Sequence, residues 1–124
     1  MVNEDREIVV ALVTFPGEEA AAALARQLLE ERLVACVNLV PRVRSLYRWE
    51  GAIQDETEVL GLMKSRRSSA EALVRRVEEL HPYDTPAVSI LTPDAVGDRY
   101  AAWLLVVLEE GVPRDGAPEE GGES

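Results

Sequence analysis

One short segment gathers much of this chain's polar chemistry. His81-Pro82-Tyr83-Asp84-Thr85-Pro86 sets the only histidine beside a phenol and a carboxylate. Pro82 and Pro86 fix their own φ and bias the preceding residues toward extended backbone. The titratable groups therefore sit in a stiff turn, which either serves structure alone or lines a site. Lys64 and Glu58 form a second pair of interest. Lys64 is the only lysine among 13 basic residues, and both side chains fall on one strand face if the segment is extended. An ion pair across strands or subunits is the structural reading; a shared cleft is the functional one. Arg42, Arg44 and Arg48 make a local positive row, suited to acids of a neighbouring subunit or to a bound phosphate or carboxylate. Tyr47 and Trp49 lie on one strand face as core, interface or site wall.

Enzymatic readings find little support. The chain has no glycine-rich phosphate loop, no G-x-S-x-G and no H-E-x-x-H. A Cys36–His81 dyad would need its side chains within hydrogen-bond reach, and a Glu58–Asp84 acid-base pair suggests no substrate. Cys36 lies in an apolar run, where free cysteine usually behaves as a small hydrophobe. Asn38 shares its face and is placed to satisfy a buried backbone group.

The chain has 124 residues, a net charge of -10 and one cysteine. This length suits one domain that buries roughly two-thirds of its unfolded surface. A lone cysteine forms no internal disulfide, so a cytoplasmic setting is expected. No leader pattern opens the sequence, and no apolar run approaches the ~20 residues of a membrane span. The acidity argues against nucleic acid, which needs a basic stripe.

Elements must position these groups. Residues 8–15 form a continuous β-branched apolar run, read as a central strand. Pro16-Gly17 ends it, and residues 18–33 follow at helical spacing. A long strand begins near Val34, with Pro41 expected to mark a bulge or an edge. Gly51 and Gln54-Asp55 supply turn chemistry, and residues 56–64 return as the second arm of a long hairpin. Ser68 and Glu71 have capping-box spacing before a helix carrying Leu73, Val74, Val77 and Leu80. Residues 87–92 form a fourth strand. Asp98 is expected to cap a last helix bearing Tyr100, Trp103, Leu104, Val107 and Leu108, with Gly111 as its C′ residue. Residues 1–111 make the domain, and residues 112–124 read as a disordered tail.

The order β-α-β-β-α-β plus a C-terminal helix is the split βαβ, or ferredoxin-like, arrangement. It places two helices on one face of a four-stranded antiparallel sheet. The long hairpin reaches past such a core and leaves edges that proteins normally cover or pair.

Thr14, Ala35-Cys36-Val37-Asn38, Tyr47-Arg48-Trp49-Glu50-Gly51, Glu58 with Lys64, the 81–86 turn and Trp103 occur in one order. Together, over about residues 8–110, they closely resemble the CutA family of divalent-cation tolerance proteins. The resemblance implies an α+β, ferredoxin-like and PII-like fold in a small cytoplasmic, non-enzymatic protein. It also implies a homotrimer whose hairpins meet edge to edge, with a role in divalent-cation tolerance and copper as the metal to consider.

One histidine and one cysteine cannot make a four-ligand zinc site from nitrogen and sulfur alone. Imidazole with carboxylate suits several divalent ions, copper included, so His81 with Asp84 is the candidate fragment for Cu or Zn; no cofactor is required. In some relatives copper binding leans on a cysteine and paired histidines. Val13 and Leu80 stand at two of those positions here. Asn38, Tyr47, Trp49, Glu58, Lys64 and Tyr83 are the further candidates for an intersubunit cleft. The competing reading is a PII-like regulatory or scaffolding trimer that binds a small anion or a protein and has no metal role.

Overall fold

The structure is a computed structural model describing residues 6–109. Strand β1 spans Ile8–Phe15, helix α1 Glu18–Glu30, strand β2 Cys36–Trp49 and strand β3 Ala52–Arg66. Helix α2 runs Ala70–Leu80, strand β4 Val88–Leu91 and helix α3 Asp98–Glu109. The sheet order is β2-β3-β1-β4, with every pairing antiparallel. This is the ferredoxin-like arrangement, and β2 and β4 are its open edges.

Alternation along the strands builds two layers. Ala11, Val13 and Phe15 of β1 join Val59 and Met63 of β3 against Ala21, Leu24 and Leu28 of α1 and Leu73 and Val77 of α2. Helix α3 serves a second, smaller cluster, in which Leu104 and Leu108 pack with Ile8 and Ala35. Gly61 makes room in the main core. A Cβ there would come within 3.1 Å of the Phe15 ring and 3.4 Å of the Met63 methyl.

The hairpin is longer than the sheet that roots it. β1 covers β3 only from Val59 to Arg66, so Val43–Trp49 and Ala52–Glu58 continue as a two-stranded ribbon. At about 3.3 Å per residue the overhang is roughly 20 Å. Pro41 and Arg42 lie in the expected bulge, where the register steps from Val40↔Leu60 to Val43↔Glu58. Two residues there oppose one, and Arg42 takes φ 58°. Glu50 and Gly51 close the ribbon with φ 50° and 82°, the paired positive values of a type I′ turn.

Several boundaries differ from expectation. α1 ends at Glu30, because Arg32 turns left-handed and the Leu33 amide reaches back to the Leu28 carbonyl. Gln54 and Asp55 lie inside β3, opposite Tyr47 and Leu46. Their polarity reflects an exposed ribbon, and the turn is Glu50-Gly51 alone. The Ser68–Glu71 capping box does not form. Arg67–Ser69 make a 3₁₀ turn, and Ser69 precedes α2 without a side-chain cap. The Gly97 carbonyl accepts the first bond of α3 from the Ala101 amide, so Asp98 lies in the first turn and acts on its dipole rather than as the cap. The Gly111 cap and the 112–124 tail lie outside the described residues.

Candidate functional site

The root of the hairpin and the proline-locked turn meet. Phe15, at the end of β1, stacks on His81 with ring centroids 5.0 Å apart and an interplanar angle of 18°. The imidazole Nε2 lies 2.8 Å from the Thr14 carbonyl. Nδ1 accepts the Tyr83 amide at 3.1 Å. That acceptor role leaves the proton on Nε2, which donates to Thr14. His81 is buried and bridges β1 to the start of the turn.

Tyr83 carries the contact onward. Its hydroxyl donates to Glu58 Oε2 at 2.7 Å. Burial first, then the Glu58 carboxylate, push the Tyr83 phenol well above its ordinary range. Glu58 is only 6 % exposed, and no lysine or arginine among the described residues forms an ion pair with it. One neutral phenol therefore stands where a buried carboxylate usually finds a cation. Next on the same face of β3, Glu56 accepts the Tyr47 hydroxyl at 2.8 Å. That bond raises the exposed Tyr47 phenol as well. Trp49 continues the row at 50 % exposure.

The structure thus gathers Tyr47, Glu58, Tyr83 and His81 around the base of the ribbon, with Trp49 farther along it. Glu56 belongs to this group and was missed from sequence. Its signal was the two-residue spacing from Glu58, which repeats a face on a strand. Asp84 lies exposed in the turn and makes no side-chain hydrogen bond or ion pair among the described residues.

Lys64 and Asn38 belong elsewhere. The Lys64 ammonium donates to the Asn38 side-chain oxygen and lies 3.9 Å from Cys36 Sγ. The Tyr100 phenol is pushed above its ordinary range by burial first and by the Cys36 thiol next. Glu58 and Lys64 do share a strand face, but six residues separate them, about 20 Å along β3. They form no ion pair within the chain. The expected backbone role for Asn38 gives way to its lysine contact. Cys36 and His81 have separate neighbours, and Glu58 is bonded to Tyr83 rather than Asp84, so neither acid-base pairing is assembled. In the arginine row, Arg44 pairs in a fork with Asp55 at 2.9 and 2.7 Å. Arg42 and Arg48 are exposed and have no partner among the described residues.

Within one chain, the described residues do not assemble a metal centre. Both ring nitrogens of His81 are engaged, and no group of three or more His, Cys, Asp or Glu among the described residues is arranged to hold an ion. No helix there is long and apolar enough to cross a membrane.

A ferredoxin-like sheet with an overlong β2–β3 hairpin, rooted against a proline-locked turn, defines the class of protein. Solved structures share it. The crystal structure of CutA1 from Oryza sativa superposes with a TM-score of 0.78 at 39% identity, covering 82% of this chain and 93% of that one. The divalent-cation tolerance protein CutA of Pectobacterium atrosepticum is 44% identical over 82% of this chain and 93% of its own length. The Thermus thermophilus protein of the same name is 46% identical over 77% of this chain and 92% of its own. The family profile described as CutA1 divalent ion tolerance protein matches residues 9–106. The chain belongs to the CutA1 divalent ion tolerance family.

Proposed function

We propose that this protein serves divalent-cation tolerance as a non-enzymatic homotrimer in a reducing, cytoplasmic setting, and that its working surface is the hairpin root where subunits meet. The observation that carries this reading is the ribbon itself. Its outer β2 edge has unpaired backbone groups, and Leu46, Tyr47 and Trp49 of β2 and Ile53 of β3 are exposed on the ribbon. Such an edge invites pairing with another chain unless it is covered. A head-to-tail contact that closes into a ring would cover it in every copy.

Copper or zinc held by His81 and Asp84 is not part of this mechanism, because a metal at Nδ1 would displace the Tyr83 amide and loosen the turn. What the turn supplies is position. His81 ties it to β1, and Tyr83 ties it to Glu58, so the carboxylates of the ribbon are presented in fixed places.

Native mass spectrometry tests the assembly. A dominant species at three times the 13.7 kDa chain mass is expected, and a folded single chain would remove the reading.

A second reading has its own support. Arg42 and Arg48, exposed and without a partner among the described residues, suit a small anion in a PII-like regulatory trimer. Calorimetric titration with inorganic phosphate and with citrate checks it. Saturable heat that is lost in the Arg42→Gln/Arg48→Gln variant is the expected sign, and no heat in the unaltered protein rejects it.

A further inference from the structure

We propose that the hairpin-root site is completed by a second copy of this chain: arginine from β2 of the partner subunit pairs with the Glu56–Glu58 face. The inference rests on the homotrimer reading and names the partner group of its site.

Charge complementarity within one short ribbon carries the argument. Glu58 is 6 % exposed and receives a single neutral donor, the Tyr83 phenol. Glu56, two residues away on the same face, receives only the Tyr47 phenol among the described residues. A carboxylate accepts about four hydrogen bonds, so each retains acceptor sites, and neither forms an ion pair within the described chain. The other strand of the ribbon supplies the complement. Arg44 is held by Asp55, whereas Arg42 and Arg48, on the open-edge strand, have no partner among the described residues.

A guanidinium is the cation that fits best. It bonds carboxylates in a planar fork and stacks on aromatic faces. Tyr47, 39 % exposed and bonded to Glu56, offers such a face, and Trp49, 50 % exposed, offers another farther along the ribbon. Basic edge and acidic face are different surfaces of the same ribbon, so the contact is heterologous. A heterologous contact closes into a ring when its rotation permits, and each subunit then gives arginine to one neighbour and receives it from the other.

Subunit exchange tests this with the full chain. Isotope-labelled and unlabelled protein are mixed and the mixed species are followed by native mass spectrometry. Glu58→Gln keeps an oxygen for the Tyr83 hydroxyl while removing the charge. Arg42→Gln/Arg48→Gln removes the proposed partners from an exposed edge. Circular dichroism melts accompany both, so that loss of folding is separated from loss of pairing. The proposal expects each variant to remain folded and to exchange about tenfold faster or more. It also expects the combined variant to exchange no faster than the arginine variant, the non-additivity of one shared interaction. Trimers whose exchange is unchanged, or whose variants act additively, overturn the arginine pairing and leave the assembly standing. A monomeric unaltered protein overturns the assembly, and the pairing falls with it.

Discussion

Tyr83 donates a hydrogen bond from its hydroxyl to the buried carboxylate of Glu58 at 2.7 Å, joining residues 25 positions apart. The proline-locked turn and the base of the hairpin are thereby one structural unit. Tyr83→Phe keeps the ring and removes the only donor to that carboxylate among the described residues. The expected cost is about 1–3 kcal/mol, typical of a buried polar group left unsatisfied. A chemical denaturation midpoint measures it. A midpoint equal to that of the unaltered protein would mean that Glu58 finds another donor.

His81→Ala separates the structural from the metal reading of the imidazole. It removes the Thr14 and Tyr83 contacts and the stacked face of Phe15. The variant should melt lower, by an amount consistent with loss of two hydrogen bonds and a packed ring. Calorimetric titration with Cu²⁺ and with Zn²⁺ should give the same isotherm for both proteins. A tight site present only in the unaltered chain would restore His81 as a ligand.

Gly61→Ala tests the packing beneath that histidine. The new methyl meets the Phe15 ring at 3.1 Å, and Phe15 in turn supports His81. Overpacking of this kind typically costs about 1–3 kcal/mol. Thermal melting reads it, and an unchanged or raised midpoint would show that Phe15 yields without strain.

Glu31 supplies a pH test away from the site. Arg76 bonds its carboxylate at 2.7 to 3.2 Å. That bond first, and the Gln27 amide next, lower its pKa from 4.5 to about 2. A carboxyl depressed in the folded state stabilises most above the unfolded value, and the contribution is lost as pH falls through the folded one. Glu31→Gln should therefore lower the melting temperature near neutrality. The difference should shrink as pH drops from about 4.5 toward 2. A gap independent of pH would detach Glu31 from the ion pair.

Sequence made the scaffold legible where local chemistry decides the outcome. The β-branched run of residues 8–15 gave β1 its bounds, and Pro41, which cannot donate to a ladder, marked the bulge. Ser68 and Glu71 misled because spacing alone cannot show that Arg67–Ser69 would form a 3₁₀ turn. Gln54 and Asp55 misled because a solvated two-stranded ribbon tolerates the polar residues that elsewhere signal a turn. In the site, strand alternation grouped Tyr47 with Trp49 and put Glu58 on the face of Lys64, but a shared face is not a contact when six positions, about 20 Å, separate the two. The Tyr83–Glu58 bond and the Phe15–His81 stack join segments remote in sequence. Only the folded sheet brings them together, so neither could be read from local pattern.

Sedimentation velocity of the full chain at dilute protein and near-physiological salt tests the central claim most directly. The account predicts one boundary at three times 13.7 kDa, persisting on dilution. A well-folded 13.7 kDa species under those conditions would contradict it.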